Sequence, residues 1–345
     1  MDHIKLLKRA FSITWNYRAL WVFGILLALT SAGGGGGSGG GGDRGARSSF
    51  GPSGRWPDIS ISPEVITALV IAGVALLCLA LVLIVVGVVA RYVAETALIR
   101  MVDQHEATGE KPGVRQGFRL GWSRAALRLF LMDFAIGVGS LIIFLLMLAV
   151  AAVPLVVWLT ENTVARVLGT VLSVGLGIAV IFVAIVVAIM LSLLVQFFHR
   201  AVVLENLGVV AGVRRGWGLM RQRLGDVVVM GLILFGLGLA WVIVLIPVVF
   251  LLLLVAAVLG GLPALLVGAV VSLVAKEAAV PWIAAAVVGI PAFLLVMGVP
   301  LTFLGGLAET FQSSTWTLTY RELLALEAAR PAESGGPEPE PPVAI

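Results

Sequence analysis

Five runs of this sequence, 65–90, 134–160, 167–199, 227–275 and 278–308, contain no aspartate, glutamate, lysine or arginine. A bilayer core is about 30 Å thick and takes roughly 20 apolar helical residues to cross, so each run is long enough to span it. Backbone amides in lipid have to be satisfied within a helix or a closed barrel, and unbroken apolar runs lack the short alternating segments of barrel strands. The expected fold class is therefore all-α, a polytopic membrane helix bundle. Composition agrees, since 60% of the 345 residues are hydrophobic, 12% are charged and the mean hydropathy is +1.10. That leaves too little polar surface for a water-soluble domain.

A six-residue pattern recurs three times, as Ala10-Phe11-Ser12-Ile13-Thr14-Trp15, Gly117-Phe118-Arg119-Leu120-Gly121-Trp122 and Gly212-Val213-Arg214-Arg215-Gly216-Trp217. Each copy sits in a basic amphipathic stretch ahead of an apolar run, about 100 residues from the next. Recurrence at a fixed interval predicts repeated structural units. The expectation is one membrane domain over 1–330 with units of about 1–110, 111–207 and 208–330. Each unit would hold an amphipathic interfacial helix followed by two spans, about six spans in all. Two spans per unit return every copy to the same side, so the repeats are parallel.

The first span is short, because 19–32 ends in Leu29-Thr30-Ser31-Ala32, which also suits a signal-peptidase site. Retention is favoured here, since the first copy of the pattern lies upstream of it. Its Ile4, Leu7, Phe11 and Trp15 face away from Lys5, Lys8, Arg9 and Ser12 on a helix. The run 227–275 is interrupted by Gly260-Gly261-Leu262-Pro263, which predicts that one span ends near Leu259. The piece 264–275 then reads as re-entrant or interfacial, and whether 264–281 crosses stays open. A seam of small residues at Gly169, Ser173 and Gly177 predicts close helix packing.

With six spans, 18 of the 23 lysines and arginines fall on the side of the three repeated patterns and 5 on the other. The positive-inside rule then makes both termini cytoplasmic. Residues 31–62 open with a run of glycines and read as a flexible external loop, and the proline- and glutamate-rich segment 331–345 reads as a disordered tail. Cys78 is the single cysteine, so no disulfide forms within the chain.

On a helix the two small residues of each pattern share a face that admits a neighbouring backbone, and the basic residues take the other side. Lys8, Arg9, Arg115, Arg119, Arg214 and Arg215 are the candidate lipid-headgroup contacts, with Trp15, Trp122 and Trp217 as interfacial anchors. Basic residues and tryptophan flank the spans of membrane proteins in general, and that ordinary topogenic reading stands beside this one. Glu95, Asp133 and Glu309 fall in or beside apolar runs and form a candidate intramembrane polar site. Val93-Ala94-Glu95-Thr96 and Leu307-Ala308-Glu309-Thr310 match one another, and polar residues continue past Glu309 to Thr319, lining a cavity or leaving the bilayer. Local pairing predicts Arg91 with Glu95, Arg128 with Asp133, and Asp226 as a helix N-cap.

His3, His105 and His199 have no metal-ligand spacing, and no nucleophile stands beside a base. The expectation is no catalytic residue, no metal and no cofactor. The basic residues flank spans rather than cluster on a soluble domain, so no nucleic-acid partner is expected.

His199-Arg200-Ala201-Val202-Val203-Leu204-Glu205-Asn206 and Val213-Arg214-Arg215-Gly216-Trp217, each ahead of an apolar span, resemble the membrane domain associated with bacterial glycerophosphoryl diester phosphodiesterases. Large groups of uncharacterised bacterial multi-pass proteins are similar. In that family hydrolysis belongs to a separate soluble barrel, and here Ala201 stands where its catalytic signature has glycine. The resemblance implies a bacterial plasma-membrane protein without that activity. The expected function is a non-enzymatic membrane module engaging anionic lipids or a partner protein, the alternative being a small-molecule or lipid transporter using intramembrane carboxylates.

Overall fold

The structure, a computed structural model, describes residues 1–33, 63–160, 162–274 and 279–329. The loop expected over 31–62, apart from 31–33, and the tail expected over 331–345 lie outside the described residues. So does the link at 275–278, on which the question of 264–281 turns. Every element described is helical. Five helices are long and apolar enough to cross a membrane, and a bent pair at the N-terminus brings the number to six by length and composition.

The bent pair is α1 (His3–Asn16) and α2 (Ala19–Gly33), which meet at 97°. Asp2 caps α1 by accepting from the Lys5 amide at 3.0 Å. Side chains pin the corner: Trp21 Nε1 donates to the Thr14 carbonyl at 2.6 Å and the Tyr17 hydroxyl to the Pro112 carbonyl at 2.5 Å. At 15 residues α2 is short for a span, and one face of it is buried, with Leu20 and Phe23 fully covered while Val22 and Leu29 are exposed.

There follow α3 (Pro63–Thr108), the short α4 (Val114–Gly121) and α5 (Arg124–Ala152), which tightens into a 3₁₀ stretch over Val153–Leu159. Next come α6 (Thr163–Leu204), α7 (Val209–Gln222), α8 (Leu224–Ala256), a π turn over Ala257–Gly261, α9 (Leu262–Ser272) and α10 (Ala279–Ala329).

The buried core lies at one end of the bundle. Leu98, Met101, Leu129, Met132, Phe197, Met220, Met230 and Tyr320 are fully covered, whereas Leu83, Leu146, Phe182 and Phe250 on the other halves of their helices are exposed. Apolar side chains lose nothing by facing lipid, so the far halves have no reason to pack on one another. The core end is also where the lysines and arginines concentrate, and it is called the basic end below.

The short helices pack through their small residues. Gly117 and Gly121 seat α4 on α3, where added Cβ atoms would stand 2.5 Å from Met101 Sδ and 3.0 Å from Ala97 Cβ. Gly216 seats α7 on α6, with Phe198 2.7 Å from an added Cβ, and Ala10 and Thr14 bury α1 against α10. At the far end the expected seam is used in part. A Cβ on Gly169 would stand 2.7 Å from the Pro154 oxygen and Ser173 Oγ donates to the Ala151 carbonyl at 2.7 Å, yet nothing lies within 4 Å at Gly177.

Two expectations are corrected here. The helix does not stop near Leu259: the π turn carries it on, and Leu224–Ser272 forms one apolar stretch of 49 residues. The π turn just ahead of Pro263 absorbs the local misfit of the missing amide. Asp226 is not an N-cap, since Arg223 holds that position. Its carboxylate lies 3.6 Å from Arg223, 3.8 Å from His3 and 4.0 Å from the terminal amine of Met1.

The tightest backbone approach joins α2 and α10, where a Cβ on Gly306 would stand 2.6 Å from the Ile25 amide nitrogen, whereas one on Gly298 meets nothing within 4 Å. Gly306→Ala should cost about 1–3 kcal/mol through overpacking. Gly298→Ala should be neutral or gain up to about 1 kcal/mol from helix propensity. Thermal unfolding of both variants in detergent checks this, and equal midpoints would contradict the α2–α10 packing.

Candidate functional site

A histidine at the end of a long apolar helix organises the polar part of the bundle. His199, on α6, is 4% exposed, and its Nδ1 lies 2.5 Å from Glu95 Oε1 of α3 while Nε2 lies 2.7 Å from Asp133 Oδ1 of α5. The Tyr92 hydroxyl donates to the second Asp133 oxygen at 3.2 Å. Three helices are thereby tied through one imidazole. An imidazolium donates to both carboxylates, whereas a neutral ring donates to only one.

The local pairings expected from spacing are therefore replaced by long-range ones. Glu95 bonds His199 rather than Arg91, and Asp133 bonds His199 and Tyr92 rather than Arg128. Arg128 turns to the Asn206 and Leu207 carbonyls at 2.9 and 3.2 Å. The change follows from burial, because an exposed i, i+4 or i, i+5 pair gains little while a carboxylate inside the bundle needs a partner there.

Arg200, the next residue, is 1% exposed. Its Nη1 donates to the Gln196 carbonyl at 2.7 Å and side-chain oxygen at 2.6 Å, and Nη2 to the Ser313 carbonyl of α10 at 3.3 Å, while Nε is buried without a partner. Arg91 makes no hydrogen bond or ion pair among the described residues, and its Nε is also buried and unpartnered. Glu309 likewise has neither among them.

These groups line one cleft of about 950 Å³. Its polar wall is Arg91, Glu95, Asp133, His199, Arg200 and Glu309, and Leu27, Leu191 and Val195 form its apolar wall. The structure thus brings the three sequence-nominated carboxylates, Glu95, Asp133 and Glu309, to one place. The polar run after Glu309 mostly enters the core, where Thr315, Thr317 and Thr319 donate back to carbonyls of their own helix at 2.8 Å. Gln312 and Ser313 reach the cleft.

The nominated headgroup contacts divide. Lys8, Arg115, Arg119 and Arg214 are exposed and make no hydrogen bond or ion pair among the described residues, whereas Arg9 is bound to Glu106. Arg215 is held between Glu205, at 3.2 Å, and Glu327, at 2.6 Å, while the Tyr320 hydroxyl donates to Glu205 at 2.5 Å. Its hydrogen bonds to Glu327, followed by the charge of Glu205, push the guanidinium pKa up, so it stays charged as a structural tie. Trp15, Trp122 and Trp217 are 61%, 73% and 49% exposed.

Spacing did not nominate His199, Arg200 or Arg91 for this site. The available signal was a His-Arg pair closing an uncharged run, where a buried cation requires anions from other helices. No three groups of the metal-binding types converge as a metal site among the described residues.

A family model described as "Family of unknown function (DUF7544)" matches residues 7–327. Comparison with curated proteins and with solved structures gave no match.

Removing the imidazole leaves Glu95 and Asp133 without the group that hydrogen-bonds both. His199→Ala should therefore lower unfolding stability by about 3–5 kcal/mol. Adding Glu95→Gln and Asp133→Asn should recover part of that loss. A denaturant titration in detergent reads both effects, and a single variant within about 1 kcal/mol of wild type would show that the clamp does not hold the helices.

Proposed function

The chain belongs to this family of unknown function, and from its own geometry we propose a non-enzymatic membrane module that engages anionic lipids at its basic end. In this reading three parallel repeats, each a short amphipathic helix followed by two spans, place α1, α4 and α7 on the cytoplasmic face of a bacterial plasma membrane. One observation carries it. On each short helix the small pair is buried, the tryptophan is exposed, and an unpaired cation stands on the outer side: Lys8 on α1, Arg115 and Arg119 on α4, Arg214 on α7.

The 97° corner after α1 supports it, because it lays that helix across the direction of α2. Gly113 and Gly208, which precede α4 and α7, have the same backbone geometry, φ −71° with ψ 167° and 165°, in keeping with a repeated unit. Cations beside an anionic leaflet contribute about 1 kcal/mol each, and exposed tryptophan suits the interface. A partner protein with an acidic face would meet the same surface. The cleft favours a second reading, a small-molecule or lipid transporter using Glu95, Asp133 and Glu309.

Native mass spectra of wild type and of a Lys8→Gln, Arg115→Gln, Arg119→Gln, Arg214→Gln variant, each offered equal anionic and zwitterionic lipid, test the first reading. Selective anionic adducts should weaken about tenfold or more in the variant. Equal adducts in both proteins would overturn leaflet engagement. Arg215 stays in place throughout because it braces α6, α7 and α10.

A further inference from the structure

The cleft brings together cations and carboxylates that are not all hydrogen-bonded to one another. His199 occupies Glu95 and Asp133, so neither carboxylate is hydrogen-bonded to an arginine. Arg200 is almost wholly buried and bonds only neutral oxygens, with Nε unpartnered. Arg91 adds a second guanidinium whose Nε is buried and unpartnered. Glu95 lines the same cleft but is hydrogen-bonded to neither, and the planar guanidinium fork fits a phosphate through paired N–H donors. On the same cleft Glu309 is a partly buried carboxylate with no hydrogen bond or ion pair among the described residues. Its oxygens can accept from a cationic donor.

We propose that the cleft binds the phosphoethanolamine headgroup of a membrane phospholipid, with the phosphate on Arg91 and Arg200 and the ammonium on Glu309. The volume suits this, since about 950 Å³ lies at the upper end of the roughly 300–1,000 Å³ typical of ligand pockets. The source is lipid because Leu27, Ala188, Leu191 and Val195 continue the polar wall as an apolar one. Beyond Ala188, Ile185 and Phe182 are exposed along α6, giving acyl chains an apolar surface to follow.

This inference rests on the cleft alone and is independent of leaflet engagement by the short helices. It also predicts the opposite preference, because a headgroup with no amine presents the same phosphate but leaves Glu309 without an ammonium partner. Phosphatidylcholine, whose quaternary amine has no N–H, leaves Glu309 without a hydrogen bond.

The experiment is native mass spectrometry of the full chain in detergent, titrated separately with phosphatidylethanolamine, phosphatidylglycerol and phosphatidylcholine. In the variant lacking the four exposed basic-end cations, where leaflet contacts add no anionic adducts, one phosphatidylethanolamine should be retained about tenfold more tightly than either of the others, as for loss of one charged hydrogen bond. Glu309→Gln should abolish that preference, and Arg91→Gln should weaken all three lipids about tenfold. Arg91 is the arginine to change, since it is only partly buried and leaves the Arg200 bonds to α10 intact. The variant lacking the four exposed basic-end cations should keep its phosphatidylethanolamine adduct, which separates failure of this proposal from failure of leaflet engagement. Equal retention of the three lipids by the variant lacking the four exposed basic-end cations, or an adduct unchanged by both Glu309→Gln and Arg91→Gln, would overturn the proposal. Displacement of the lipid by millimolar free phosphoethanolamine would overturn the lipid source and assign the cleft to a soluble zwitterion.

Discussion

Apolar side chains in a bilayer gain nothing by exchanging lipid contact for contact with one another, and that constraint shapes this protein more than any other. Its helices are left to associate where backbones approach closely or where polar groups must find partners. Both conditions are met at the basic end. Glycines there admit neighbouring helices, and the imidazole of His199 draws in a carboxylate from each of two others. The remaining length of each span keeps its leucines, valines and phenylalanines on the surface.

The clamp and the cleft arise from the same arrangement. Holding Glu95, Asp133 and His199 together joins α3, α5 and α6, and Arg200, the next residue along, fastens α6 to the Ser313 carbonyl of α10. Once the carboxylates serve the histidine, the two arginines and Glu309 are left facing the opening. Structural satisfaction of some charges thus leaves the others available to a ligand. A second polar knot, Arg215 with Glu205 and Glu327, closes α7 against α6 and α10 in the same way. An arginine that sequence spacing assigns to headgroups is a brace.

The repeated pattern was legible in detail because each of its positions answers to a local rule. Small residues four apart share a helix face, and in all three short helices that pair is buried with the tryptophan outward. The Gly260-Gly261-Leu262-Pro263 break was misleading for a local reason too. Glycine and proline disrupt a regular helix, yet a π turn can absorb them when another helix packs alongside, as α10 does here with the Phe293 amide 3.3 Å from a Cβ on Gly260. Charge pairs were the least legible. Sequence proximity offered Arg91 to Glu95 and Arg128 to Asp133, whereas the partners used lie 104 and 66 residues away.

Sequence alone determined that this chain is helical and membrane-spanning, that its short amphipathic helices precede the long ones, and which carboxylates stand among apolar residues. Those properties depend on segment length, side-chain period and the cost of an unsatisfied backbone in lipid, all of which are local. Only the tertiary structure decided that Glu95, Asp133 and Glu309 share a cleft, that His199 bridges two of them, and that Arg91 and Arg200 line it without hydrogen-bonding a carboxylate. A buried charge is satisfied by whichever partner the packing brings within about 3 Å, and packing among long apolar helices is set by steric fit between distant segments, which no spacing along the chain encodes.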